Sequence, residues 1–225
     1  MNHLLAADKV FGIAKIADFY DKGGIIMYAL TACSLVTLTV IVFKALDLAK
    51  PRVIPQMLRS KIEQYSTVTD ENSASDLSQQ VTSSDSVLSR LAQVVIKRKD
   101  SSGENIRNAV QAKAHEEIVK LQGGIQILDA VIVIAPLLGL LGTASGITTV
   151  FGGLSSIGDV KMNIMAQGVA EALSTTIAGL AVAVPAVIGN SIFNRKIETY
   201  ASQLEVVMEE LVNTVSDQSD ESPTA

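Results

Sequence analysis

Two long apolar runs, residues 130–151 and 162–193, are joined by a short polar turn and interrupted by a single carboxylate, Glu171. Each run is at least as long as the ~20 apolar residues that cross a bilayer as a helix. A third block, residues 24–43, has the same length and no charge. Hydrophobic residues make up 48% of the chain, and they fall in these blocks instead of forming the single stripe of a soluble helix. The expected architecture is therefore all-α: an integral membrane protein with three transmembrane helices and long helical extensions. A carboxylate inside such a run points to function before structure.

Charge placement sets the expected topology. Lys44, Lys50, Arg52, Arg59 and Lys61 follow the first block, and Arg195 and Lys196 follow the third. Positive residues flanking a span stay on the cytoplasmic side, so the N-terminus is expected outside and the C-terminus inside. The chain divides accordingly: a periplasmic or interfacial helix (1–22), transmembrane helix 1 (23–44), a cytoplasmic helical domain (45–124), transmembrane helix 2 (125–153), a periplasmic loop (154–161), transmembrane helix 3 (162–193), a cytoplasmic C-terminal helix (194–215) and an acidic disordered tail (216–225). Residues 1–22 alternate Lys9, Lys15 and Lys22 with Asp8, Asp18 and Asp21 around apolar positions, unlike a secretory signal. They read either as a helix lying in the membrane surface or as a solvated leader.

Several function classes drop out. No basic patch with interleaved aromatic residues suggests nucleic acid. The lone cysteine, Cys33, excludes an internal disulfide and any Cys-based metal site, and reads as a small residue packed between helices. His3 and His115 lie in no metal-ligand spacing. No nucleophile–base set or phosphate-binding loop is present, so neither an enzyme nor a cofactor is expected.

Within the cytoplasmic portion, residues 66–86 are rich in Ser, Thr, Asp and Gln and read as a flexible link. Residues 87–99 have helical spacing. Ser101-x-x-Glu104 fits a capping box that opens another helix. That helix is expected to continue through Gly123-Gly124 into the second span as a stiff strut, with Glu116-Glu117 on a solvated face. After the third span, Ile197, Tyr200, Leu204, Val207, Met208, Leu211 and Val215 repeat at three- and four-residue steps, marking a helix with one apolar seam.

The last two blocks are rich in small residues, including Gly139, Gly142, Gly146, Gly168, Ala172 and Gly179, which let membrane helices approach closely. Pro136 and Pro185 are candidate bends. Counting from the turn, Thr143 and Glu171 each lie about 15 Å into their helices, near mid-bilayer, with Thr176 about 7 Å further. Five positions at about 100° put Glu171 and Thr176 roughly 140° apart, so they face different surfaces. Ser145, Thr148, Ser174 and Thr175 are secondary polar candidates, and Asp129 reads as a structural residue at the inner end of span two.

At these residues the sequence resembles the MotA/TolQ/ExbB proton-channel family, and within it the three-span ExbB/TolQ branch. The matching text is Ala135-Pro136-x-x-Gly139-Leu140-Leu141-Gly142-Thr143-x-x-Gly146-Ile147, Gly168-Val169-Ala170-Glu171-Ala172-Leu173-x-x-Thr176-x-x-Gly179-Leu180, and Ala183-Val184-Pro185-Ala186. The resemblance implies a motor subunit of the bacterial inner membrane. It implies a homo-pentamer around the single-span helices of an ExbD/TolR-type partner, with proton flow coupled to the outer membrane through a TonB- or TolA-type protein. By matching position, Thr143 and Thr176 would line the pore and Glu171 would be the family's intramembrane glutamate. Ala144-Ser145 and Thr148-Thr149 depart from the bulkier apolar residues common there, which leaves the ion, H⁺ or Na⁺, open. Three spans and a short N-terminus argue against the four-span flagellar stator. Two other classes remain: a passive scaffold whose polar residues only join helices, and a small-solute transporter, which the absence of an inverted repeat disfavours.

Overall fold

The computed structural model describes the backbone of residues 2–67, 71–99, 101–154 and 161–221, and side chains of 24–49, 52–66, 76–99, 101–152, 165–166 and 168–217. The expected amphipathic side of residues 1–22 and the loop 154–161 lie outside the described side chains, while the tail expected to be disordered from residue 216 is helical as far as Glu221, as a continuation of α8. The described residues form eight helices: α1 (Asn2–Asp47), α2 (Lys50–Val53), α3 (Gln56–Thr67), α4 (Glu71–Ser83), α5 (Val87–Lys97), α6 (Gly103–Gln122), α7 (Ile125–Leu154) and α8 (Lys161–Glu221). Among the described residues, three segments are long and apolar enough to cross a membrane: Gly24–Asp47, Ile125–Gly152 and Gly168–Asp217. The chain is an all-helical, multi-pass membrane protein.

The helices group into two compact units, one of Met1–Val42 with Gln126–Asn190 and one of Phe43–Ile125 with Ser191–Ala225. In the first, α7 and α8 pack through glycines. A Cβ on Gly146 would lie 2.5 Å from the Gly168 carbonyl oxygen, and one on Gly179 would lie 2.6 Å from that of Ala135. Close backbone approach is how helices associate where no water is available to drive apolar burial. The opposite faces carry exposed Leu140, Leu173, Ile177 and Val184, the surface expected of helices solvated by lipid or by further helices. Both α7 and α8 continue through their prolines, Pro136 and Pro185. Asn190 Nδ2 donates to Asp129 Oδ1 at 2.6 Å, which gives Asp129 the structural partner its position called for.

In the second unit, the expected seam is the core. Ile197, Tyr200, Leu204, Val207, Met208, Leu211 and Val215 are all buried, and the Tyr200 hydroxyl donates to the Leu48 carbonyl at 3.0 Å. Lys44 is buried too, its ammonium held 2.9 Å from Asp47 Oδ2 and 3.1 Å from the Leu121 carbonyl oxygen. A lysine that reads in sequence as a topology signal is also a clamp between the end of α1 and the end of α6.

Four expectations are corrected here. The supposed flexible link contains α4, which buries Leu77 and Val81 and packs on α3 and α5. Those two residues lie four apart and so share one helix face, a stripe narrow enough to be hidden by the surrounding polar residues. The capping box at Ser101 does not form: Ser102 is the N-cap of α6 and makes no side-chain cap bond. The Ser86 side chain, by contrast, caps α5 by accepting from the Ser89 N–H at 3.1 Å. Third, α6 does not run on into α7. Gly123 caps it, Gly124 adopts φ +84°, and a new helix starts at Ile125. A positive φ is open to glycine, which makes the Gly-Gly pair a joint.

The fourth correction is Glu117. Its neighbour Glu116 is exposed, but Glu117 is 1% exposed and meets three cations. Arg90 reaches Oε2 through Nη2 at 2.7 Å and Nε at 3.0 Å, while Lys120 and Lys113 lie 3.1 and 3.2 Å from Oε1. Burial raises the carboxyl's pKa, but the hydrogen bonds from Arg90, Lys120 and Lys113 outweigh it and hold the group down at about 2. The pair points apart as adjacent helix positions must, and one member points inward.

Candidate functional site

The glycine seam brings a set of hydroxyls together. Gly142 faces Thr175 so closely that a Cβ would overlap the threonine side chain, and a Cβ on Gly139 would lie 3.0 Å from the Thr175 carbonyl oxygen. With the backbones this near, Thr143 of α7 meets Thr176 of α8, Oγ1 to Oγ1, at 2.5 Å. Each hydroxyl also reaches two carbonyls: Thr143 those of Gly139 (3.2 Å) and Ala172 (3.3 Å), and Thr176 those of Ala172 (3.2 Å) and Gly139 (3.4 Å). A hydroxyl both donates and accepts, so the pair can exchange these bonds for a proton donor, a water or a cation on its open side. That side exists because Thr143 and Thr176 are only half-buried.

Thr175 is different. It is fully buried, and its Oγ1 donates to the carbonyls of Ala172 (3.0 Å) and Glu171 (3.1 Å) of its own helix, with the Gly139 carbonyl of α7 at 3.5 Å, so it offers no surface. Ser145 and Thr148 are exposed, and Thr148 donates to Ala144 O of its own helix at 2.8 Å, one turn back. Ser174 is half-buried. Of the secondary candidates, the structure brings only Thr175 into the cluster.

Glu171 lies on another side of α8, as the helical angle requires. It is half-buried, and its carboxylate approaches the kink in α1: a Cβ on Gly24 would lie 3.1 Å from Oε1 and 3.9 Å from Cδ. Gly24 begins the first apolar segment, so Glu171 is level with the start of that segment instead of its middle. Further along α8, a Cβ on Gly189 would lie 3.0 Å from Ile41, near the other end of the same segment. The intervening 18 residues of helix measure about 27 Å, close to the ~30 Å of a hydrocarbon core. Thr176 then sits about 7 Å inward from Glu171. The partner of Glu171 was not visible in sequence. Gly23-Gly24 at the mouth of an apolar run is the one signal that a chain break belonged there.

Among the described residues no group of His, Cys, Asp and Glu is placed to hold a metal ion. The site is a polar inclusion in an apolar helix hairpin, made of hydroxyls and one carboxyl.

Comparison with known proteins gives the family. Residues 78–206 match the model of the MotA/TolQ/ExbB proton channel family, a stretch that contains all of α7, the hydroxyl pair and Glu171. The chain is 29% identical over 178 residues to the biopolymer transport protein ExbB-like 1 of Synechocystis sp., covering 76% of this chain and 67% of that one. It is 29% identical over 201 residues to the biopolymer transport protein ExbB of Pseudomonas putida, covering 86% of this chain and 59% of that one. It is also 31% identical over 125 residues to the Tol-Pal system protein TolQ of Pseudomonas aeruginosa, covering 52% and 54%. The chain thus spans 54–67% of the length of these three relatives. With more than half of its residues inside the family match, the chain belongs to the MotA/TolQ/ExbB proton channel family.

Proposed function

We propose that this protein is an ExbB-type energiser subunit of the bacterial inner membrane. It forms a homo-oligomeric ring, a pentamer, around the single-span helices of an ExbD/TolR-type partner. Proton flow through that assembly drives a TonB-type protein and so transport across the outer membrane. The N-terminus faces the periplasm, and α2–α6 with the end of α8 lie in the cytoplasm, a reading supported by the basic residues after the first and third spans. The open edges of Thr143 and Thr176 line the pore, and the proton-carrying acid opposite them belongs to the partner.

The observation that supports this reading most is the half-buried Thr143–Thr176 contact inside a glycine-packed apolar hairpin. A scaffold needs buried glue such as Thr175, and it has no use for two hydroxyls held at an open edge. The test is Thr143→Val with Thr176→Val, and separately Glu171→Ala, in cells that depend on this system. Each change is expected to abolish energised uptake across the outer membrane while the ring assembles as before. Full uptake by these variants overturns the reading. Loss of the ring itself would assign the residues to a passive scaffold.

A further inference from the structure

The three apolar helices are unbroken in their described residues except at one point. Gly24 in α1 has φ 58° and ψ −157°, a conformation that is essentially closed to residues with a Cβ. The same glycine leaves the space into which Glu171 projects, since a Cβ there would lie 3.1 Å from Oε1, closer than an ordinary van der Waals contact. Two separate observations, a backbone state and a side-chain approach, therefore fall on one residue. Neither is needed by a helix that merely crosses a membrane, for which an alanine would serve better.

We propose that Gly24 is a positioning residue for Glu171: the kink in α1 and the missing side chain together hold the carboxylate at one place at the rim of the hydroxyl site. The proposal rests on the reading of Glu171 as part of the ion pathway. A glutamate on a helix surface has three side-chain torsions and several staggered positions to choose from. With Oε1 beside Gly24, positions that swing the carboxylate further toward α1 are closed, and a methyl at position 24 would press on Oε1 and displace it by a few tenths of an ångström. Gly24 is also the joint between the two lengths of α1, so the direction of Asn2–Gly23 and the space open to the carboxylate are set by the same two torsions. The N-terminal helix thus has a mechanical route to Glu171 that does not pass through α7.

The test uses the full chain assembled with its ExbD-type partner in lipid vesicles, comparing wild type with Gly24→Ala. Two quantities are read: proton flux, and the infrared carboxyl band of Glu171, assigned by its loss in Glu171→Gln. The expected result is at least a threefold fall in flux together with a displaced band, with the ring intact. An unmoved band overturns the proposal whatever the flux does, because a purely structural glycine would alter stability and leave the carboxyl's surroundings alone. Absence of flux in the wild type would instead overturn the proposed function, and the band then decides the role of Gly24 by itself. Should Gly24→Ala fail to assemble, Gly24→Ala with Glu171→Ala is made. Recovery of the ring supports the contact, and continued failure overturns it.

Discussion

Glu117 offers the most quantitative test of the helical unit that adjoins the spans. Its carboxylate is 1% exposed, bonded by Arg90, Lys113 and Lys120, and held at about 2 against an ordinary value of 4.5. A folded pKa below the unfolded one means that the group stabilises the fold fully above the unfolded value, and that this stability is lost as pH falls toward the folded value. A shift of that size corresponds to about 3 kcal/mol, present at neutral pH and lost between about pH 4.5 and pH 2. Glu117→Gln keeps the shape, removes the charge and leaves three cations around a neutral amide. For a chain of this length about 3 kcal/mol corresponds to roughly 6–12 °C in melting temperature. The assay is thermal unfolding of the purified chain in detergent, followed by circular dichroism, at steps from pH 7 to pH 3. The variant is expected to melt lower by that amount at pH 7, and its curve is expected to approach the wild-type curve as the pH drops. A variant that melts within 2 °C of wild type at pH 7, or a gap that stays constant down to pH 3, refutes the reasoning.

Three further outcomes follow from the packing and topology. Gly146→Val pushes a branched side chain into the Gly168 carbonyl and the Ala172 Cβ, and is expected to cost about 1–3 kcal/mol, read as a lower melting temperature. Tyr200→Phe removes the 3.0 Å bond to the Leu48 carbonyl and is expected to cost about 1 kcal/mol without affecting assembly, measured by the same melts. In a Cys33→Ala background, Asp159→Cys is expected to react with a membrane-impermeant maleimide added outside intact spheroplasts, while Ser202→Cys reacts only after lysis. The reverse pattern would invert the proposed topology.

The spans and the C-terminal seam were legible in sequence for a common reason: each is written by spacing, whereas counting along the helices put Thr143 level with Glu171 and not with Thr176, which it meets. Apolar length, three- and four-residue repeats and glycines at helical intervals determine which faces meet, and Thr143 met Thr176 because the glycines beside them allow it. What could not be read depended on single residues whose partners lie far away in sequence. Glu117 resembles Glu116 until Arg90, 27 positions earlier, is brought against it. Lys44 is one of several basic residues after a span until the Leu121 carbonyl, 77 positions on, is found at its ammonium. α4 was taken for a link because two buried residues, Leu77 and Val81, are too few to raise a polar segment above its neighbours. The approach of Glu171 to Gly24 could not be read either, because the two lie on different helices far apart in sequence.

The claim that carries the account is that the open edge of the Thr143–Thr176 pair forms part of a proton path. The most direct measurement is proton uptake into vesicles containing the full chain and its ExbD-type partner, driven by an imposed membrane potential and followed with an internal pH dye. The account predicts flux that requires both proteins and falls at least tenfold in the Thr143→Val, Thr176→Val variant with the ring intact. Flux that persists undiminished in that variant would contradict it.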